Sequence, residues 1–392
     1  MLSRELSVII VSYNVSPYLK ICLYSVCKAI KSLDAEVFVV DNASDDDSVD
    51  MVKSVFPGFK VIANKENKGF SVANNQAIDQ ATGKIILLLN PDTIVPEDAF
   101  VELISFYRNN PGAAGVGVKM LDGSGNYLPE SKRGLPSSRD FIFKFSGLIK
   151  VFPESKIISR YFMGNLSPDK TWEIPVLAGA FLAFPSKALE SIDPLDETFF
   201  MYGEDIDLSY RLSRVGKNYY YPGIKIIHFK GESTVKDQNY IDRFYGAMLI
   251  FTRKHFFPRY LWIQKWIMTL SINAVKGLLK KLLIFSSKKE DETERVSPVV
   301  FFVGKAGDSK DKIIAGFKEV KFFDSFDDVK VAEVRDQLKT NILIDLNSVS
   351  IQDMIDFMEK NAGMYRYSFL SPDNDFYLYS SNANTSGTVM PL

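Results

Sequence analysis

From residue 6 to about residue 121, apolar runs of strand length alternate with amphipathic stretches of helix length. The run "LSVIIVSYN" is apolar until its last three residues, the pattern of a strand covered on both faces. A helix is expected next, with Ser16 as its N-cap, Pro17 in its first turn, and Leu19, Cys22, Leu23, Val26 and Ile30 along one side. Strand "EVFVVDNAS", helix "DDDSVDMVKSVF", strand "KVIANKEN" and helix "SVANNQAIDQATG" follow. Strand "KIILLLNPD", helix "PEDAFVELISFYRN" and strand "AAGVGVKML" complete the series. Repeated strand–helix units predict an α/β fold: a Rossmann-like, mostly parallel sheet with helices on both faces.

Each of these strands ends in polar residues: Ser12, Tyr13 and Asn14, then Asp41 and Asn42, then Asn64, then Asn90 and Asp92. In a parallel sheet those ends share one edge, where open α/β sheets bind ligands. Turns favour Asn and Asp in any case, which accounts for one or two of these positions more easily than for all of them.

Beyond residue 121 the pattern is less regular and rich in Phe, Tyr, Gly and Pro. Residues 241–286 read as helical, "SSKKEDETERVSP" reads as a charged linker, and "PVVFFVGKAG", "NILIDLNSVS" and "IQDMIDFMEKN" predict a second, small α/β domain. The expected division is residues 1–240, a helical segment and linker over 241–296, and a small domain over 297–392. At 392 residues the chain is too long for one ordinary core, in keeping with that division.

A formal net charge of -1 argues against general nucleic-acid binding, which needs a basic surplus. The two cysteines, Cys22 and Cys27, form no CxxC pair and fall in one helical pattern, as reduced packing residues do. The N-terminal apolar run is short and flanked by Arg4 and Glu5, unlike a signal peptide. The strongest candidate for a membrane span, residues 261–285, is broken by Lys265, Lys276, Lys280 and Lys281.

No GxGxxG follows the first strand and no GxxxxGK[ST] occurs, so neither a dinucleotide fingerprint nor a P-loop is available. Asp92 closes a buried strand where a hard cation such as Mg²⁺ or Mn²⁺ would bridge two phosphates. Asp41 would accept hydrogen bonds from a base or ribose, or cap the helix after it. In "FFMYGEDIDLSYRL", a helix beginning near Glu204 places Asp205, Leu208, Leu212 and Val215 on one inward side. Glu204 and Asp207 are then rotated away, and Asp207 lies four before Arg211, a surface ion-pair spacing. Asp205, in the first turn, suits either a general base or an N-terminal cap. His228, one of two histidines, is a metal ligand, a proton-transfer group or a core residue. Ser233 and Thr234 either bind phosphate or cap a helix.

Seven segments in order resemble the inverting glycosyltransferases of family 2 with the GT-A fold, particularly the rhamnosyltransferase and galactofuranosyltransferase-like branch. They are "SVIIVSYN", "VVDNASDD", "NKENKGFSVANN", "LLLNPD", "LAGAFLAFP", "DETFFMYGEDIDLSYRL" and "HFKGEST". The resemblance implies a nucleotide-sugar donor, a UDP- or dTDP-sugar foremost, and a glycan or lipid-linked acceptor in cell-surface polysaccharide synthesis. It implies that Ser12, Tyr13, Asn14 and Asp41 hold the nucleoside, with Asn67, Gly69, Asn74 and Asn90 lining the donor pocket. Gly179, Ala180 and Glu204 would lie beside sugar and acceptor, and Asp205 would be the general base. Asp92, helped by His228, would carry the cation; the family's DxD is reduced here to Asn90-Pro91-Asp92.

Residues 141–162 and 256–286, which include Trp262 and Trp266, mix aromatic and basic side chains as membrane-surface helices do. They are therefore expected to attach a cytoplasmic enzyme to the inner face of the membrane, to pack on the main domain, or to form a homo-oligomer contact. The competing functions are a nucleotidyltransferase and a non-catalytic nucleotide-sugar sensor or scaffold.

Overall fold

The structure is a computed structural model that describes residues 4–136, 148–230, 238–256, 299–305, 310–317, 319–331, 340–380 and 387–392, and scattered helical positions between 262 and 277. The N-terminal part runs β1 (Arg4–Ser12), α1 (Ser16–Ala29), β2 (Ala35–Asp41), α2 (Ser48–Val55), β3 (Lys60–Ala63), α3 (Phe70–Ile78), β4 (Gly83–Leu89), β5 (Thr93–Ile94), α4 (Ala99–Asn109) and β6 (Ala113–Leu121). It continues with α5 (Leu148–Val151), β7 (Trp172–Glu173), β8 (Phe181–Pro185), α6 (Glu204–Leu212), β9 (Lys217–His228) and α7 (Gln238–His255).

These strands form one mixed sheet in the order β3-β2-β1-β4-β8-β6-β9-β5, with β7 on β9. The β3-β2-β1-β4 half is parallel, as expected from the repeated units. The sheet then departs from a simple parallel series. β8 inserts between β4 and β6 and runs antiparallel to both. A strand contributed from later in the chain leaves no mark on the local period, so the alternation up to residue 121 does not foreshadow it.

Continuous apolar runs form here because helices cover both faces. Val8, Ile10, Val37, Val39, Leu87 and Leu89 pack towards α1, α2 and α4. Their alternates Ile9, Val11, Phe38, Val40, Ile86 and Leu88 pack towards α3 and α6. α1 begins at Ser16, so Val15 rather than Ser16 holds the cap position. The Ser16 N–H is satisfied by the Asp46 carboxylate at 2.9 Å. Cys22 is fully buried, and burial pushes its thiol up to about 12, the behaviour of an inert packing residue.

The C-terminal part holds β10 (Val299–Val303), α8 (Lys310–Gly316), β11 (Glu319–Phe323), α9 (Phe326–Val331), β12 (Asn341–Asp345), α10 (Ile351–Lys360), β13 (Arg366–Leu370), β14 (Phe376–Tyr379) and β15 (Thr388–Pro391). Its sheet, ordered β11-β10-β12-β13-β14-β15, is parallel through β13 and antiparallel beyond. Gly304, after β10, has φ +131, and a Cβ there would meet Ser348 and Asp345 of the neighbouring strand end at 2.5 and 2.8 Å. Gly304 therefore serves close strand-end packing. One apolar cluster joins the two parts: Tyr18, Ile94, Leu121, Ile227 and Phe229 pack with Phe301, Ile344, Met354 and Phe369.

Candidate active site

The parallel register brings the polar strand ends to one edge. Ser12 stands opposite Asp41, Asp41 opposite Ala63, and Ile10 opposite Leu89. Ser12 is buried, and its hydroxyl has no partner among the described residues. Tyr13 is 37% exposed, and Asn14 adopts φ +54. The Asn14 side chain accepts from the Asp45 N–H at 2.7 Å, while its own N–H donates to Ser44 Oγ at 2.9 Å. Asp41 does not cap α2. Its carboxylate accepts from the Ser44 N–H at 2.9 Å and from the Ser44 hydroxyl at 2.6 Å, closing the loop beside Asn14.

Asn42 organises the neighbouring loop. It donates to Asn67 Oδ1 at 2.9 Å and to the Gly69 carbonyl at 3.2 Å, and it accepts from the Lys68 N–H at 3.0 Å. Gly69 adopts φ +85, and a Cβ there would lie 2.7 Å from the Phe200 ring and carbonyl. The Phe70 N–H donates to that same carbonyl at 2.7 Å, so the 67–70 loop is tied to the segment that enters α6. Asn74 differs from the expectation of a pocket-facing side chain. It is 1% exposed, donates back to Phe70 at 2.8 Å, and keeps Oδ1 buried without a partner among the described residues.

At the next strand end, Asp92 and His228 face each other, with Nε2 3.4 Å from Oδ1. The two-residue β5 sets this approach, because Thr93 pairs directly with His228 on antiparallel β9. Asp92 is buried, yet the His228 ring, its own N–H and the Lys230 N–H hold its carboxyl below the usual range. Asn90 Nδ2 lies 3.4 Å from the same imidazole nitrogen, and His228 Nδ1 is buried without a partner among the described residues. Lys230, at φ +63, pairs with Glu130. Among the described residues no three His, Cys, Asp or Glu side chains converge as a complete protein cation site. A carboxylate and an imidazole on one strand edge nevertheless fit as two ligands that would hold a hard divalent ion.

The three acids of α6 do not divide as the helical spacing suggests. Asp207 is fully buried rather than on a surface ion pair, bonded to Arg211 at 2.7 Å, His255 at 2.6 Å and Lys254 at 2.9 Å. Against the cost of burial, the His255 hydrogen bond and the Arg211 and Lys254 partners hold its carboxyl down to about 2. Glu204 is also buried; desolvation and the neighbouring Asp205 charge push it up to about 8. Val215 lies beyond the helix and is 43% exposed. For Asp207 the reason is α7, which packs on Ile206 and Tyr210 and brings His255 and Lys254 to the carboxylate.

Asp205 is the most open of the three, with a side chain 15% exposed. Its Oδ1 accepts from the Ile206 N–H at 2.8 Å, and its Oδ2 accepts from the Gly179 N–H at 3.3 Å and from Arg133. A Cβ at Gly179 would lie 3.4 Å from the Asp205 side chain, in ordinary contact. Ala180, the next residue, accepts the Asn90 N–H at 3.0 Å. Asp205, Gly179, Ala180, Asn90, His228 and Asp92 therefore form one connected line of contacts. Arg133 and Tyr161, which flank Asp205, carry no sequence signal, since both come from the irregular stretch after β6. Ser233 and Thr234 lie outside the described residues.

Residues 7–192 match Glycosyl transferase family 2. The N-acetylglucosaminyl-diphospho-decaprenol L-rhamnosyltransferase of Mycobacterium tuberculosis is 27% identical over 248 residues, covering 59% of this chain and 78% of the relative. The low-salt glycan biosynthesis hexosyltransferase Agl10 of Haloferax volcanii is 25% identical over 306 residues, 76% of this chain and 89% of the relative. Staphylococcus aureus TarS in complex with UDP-GlcNAc aligns at TM-score 0.46 and 18% identity, covering 74% of this chain and 77% of that one. Over residues 7–192 the chain is therefore similar to the family 2 glycosyltransferases, and its sheet is an α/β fold of GT-A type. The family match ends before Asp205 and His228, so the roles of those residues rest on the geometry above.

Proposed function

We propose that the enzyme transfers a sugar, with inversion, from a nucleoside-diphosphate donor to a hydroxyl of a glycan or lipid-linked acceptor. The observation that carries this reading is the placement of Asp205 beside Gly179, one chain of contacts away from the Asp92–His228 pair. A base and a leaving-group seat joined by one short chain of contacts suit a single displacement at an anomeric carbon. The relatives named for rhamnosyl and hexosyl transfer support a hexose or deoxyhexose donor.

Ser12, Asn14 and Asp41 would bind the nucleoside at the parallel strand ends, while the Asn42–Asn67–Gly69 loop walls the donor. Asp205 would take the proton of the acceptor hydroxyl as that oxygen attacks. Arg133 is its counter-ion in the free protein and orients Oδ2 towards Gly179. Glu204, kept neutral by burial, adds no competing charge beside the base. Asp92 and His228 would hold a divalent cation, Mg²⁺ or Mn²⁺, which when bound supplies Lewis-acid stabilisation to the departing diphosphate.

Among the described residues no helix is long and apolar enough to cross a membrane. Trp262 and Trp266 are 74% and 64% exposed, with Leu270 at 46% one turn further on. Rings four residues apart share a helix face, and aromatic faces among lysines suit a lipid surface. We assign this segment to peripheral attachment at the cytoplasmic leaflet, where a lipid-linked acceptor would be presented.

The test is a thermal-shift screen of UDP-, GDP- and dTDP-sugars with and without Mn²⁺, followed by turnover with Asp205→Asn. A general base contributes roughly 10² to 10⁴ in rate, so the variant is expected to bind donor while losing about that factor. Normal turnover by Asp205→Asn would remove Asp205 from the base role. No stabilisation of the wild type by any donor would remove the reading altogether.

A further inference from the structure

We propose that the C-terminal domain is part of the donor site's machinery, with Phe369 of β13 a positioning residue that acts through Phe229 on the Asp92–His228 pair. This rests on the reading of that pair as the diphosphate and cation seat.

The pair is held by very little of its own sheet. β5 is two residues long and meets β9 through only Thr93–His228 and Ile94–Ile227. So short a ladder is marginal alone, because few backbone bonds and little buried surface oppose local opening. The second domain supplies the missing constraint, and its ties fall close to both members of the pair.

Phe229 follows His228 directly and donates its N–H to the Asp92 carbonyl at 3.0 Å. Its ring lies between Tyr18 of α1, with centroids 5.4 Å apart at 67°, and Phe369, with centroids 5.2 Å apart at 76°. Phe229 is 1% exposed and Phe369 fully buried. Lys225, three residues before His228, pairs with Asp356 and Glu359 of α10 at 2.7 Å each. Glu97, five residues after Asp92, accepts the Ile351 N–H at 3.0 Å and the Gln352 N–H at 3.3 Å. An acid of the first domain thus serves the otherwise unsatisfied first-turn N–H groups of α10 in the second.

Other ties of the second domain reach α1 and β6, through Lys20 to Asp373, Lys28 to the Leu346 carbonyl and Lys119 to Glu359, but the Phe229–Phe369 contact is made at the residue directly after His228. Phe369, the aromatic contact of the second domain on Phe229, fixes the backbone from which the imidazole projects. Loss of an outer support for a cation ligand costs on the order of 10- to 100-fold in affinity. A packing support is expected near the lower end of that range.

The experiment uses the full-length chain with Phe369→Leu and Phe369→Ala, and Val389→Ala, at a 40% exposed position on the edge strand β15, as a control. Titrating UDP, GDP and dTDP by calorimetry with and without Mn²⁺ reads the seat without turnover. Hydrogen exchange of the peptides spanning residues 90–95 and 225–230 reads it without ligand. For Phe369→Leu we expect about 10-fold weaker Mn²⁺-dependent binding, faster exchange in both peptides, and no further loss of binding when it is combined with His228→Ala. Phe369→Ala should do the same more strongly; should it not fold, Phe369→Leu decides. A folded Phe369→Leu with wild-type binding and exchange, or with an equal additional loss in the His228→Ala background, overturns the positioning role. A wild type that binds no nucleoside diphosphate with Mn²⁺ instead overturns the donor-site reading beneath it.

Discussion

Asp207→Asn tests how α6 is held, and its cost follows from the structure. The carboxylate is fully buried against Arg211, His255 and Lys254, with bonds of 2.7, 2.6 and 2.9 Å. Its folded value of about 2 lies below the reference value of 3.8. At about 1.4 kcal/mol per pH unit, that difference corresponds to roughly 2 kcal/mol of stability. Because the folded value is the lower one, this contribution is fully present above about pH 4 and disappears as pH falls through about 2. The substitution removes more than this, since it leaves the partners' positive charge without its buried counter-charge. A loss of about 3–5 kcal/mol at neutral pH is expected. An exposed i,i+4 pair, the arrangement read from sequence spacing, is worth only about 0.3–0.5 kcal/mol. Urea unfolding of both proteins at pH 7, repeated on the wild type between pH 4 and 2, separates the alternatives. A loss below about 1 kcal/mol at pH 7 would refute the buried network.

Two further outcomes follow from the same geometry. Glu204→Gln mimics the neutral carboxyl; the wild-type group is raised to about 8, so wild-type stability declines as pH climbs from the ordinary carboxylate range towards 8. The variant should match wild type near pH 5 and exceed it near pH 9 in urea unfolding, and equal stability at both values would contradict a buried neutral acid. Replacing both Trp262 and Trp266 by Ala should abolish flotation with anionic liposomes while leaving donor binding unchanged, because both rings are largely exposed; undiminished flotation would dismiss this face as the attachment.

The parallel half of the main sheet was legible in the chain because its strands are covered on both faces and announce themselves as unbroken apolar runs. The polar edge was legible for a related reason: side chains at the ends of parallel strands come level once the register is set, as Ser12 and Asp41 do. Asp92 and His228 could each be singled out from their strand ends, but their approach depends on antiparallel pairing between segments 135 residues apart, and no local period encodes that.

Spacing on α6 identified the right helix and misjudged two of its acids. A helical face becomes interior only when something covers it, and α7 arrives from further along the chain to enclose Asp207 with His255 and Lys254. Arg133 meets Asp205 for the same kind of reason, since an irregular stretch can be placed beside a helix only by the packing of everything around it. Local chemistry and periodicity determined which segments are strands, which residues end them, and which acids are candidates. Tertiary packing alone decided which carboxylates are charged, which are sealed away, and that a second domain packs against the segment that carries His228. The physical reason is range: backbone preference and side-chain alternation act over a few residues, whereas desolvation and ion pairing depend on neighbours that only the folded chain brings together.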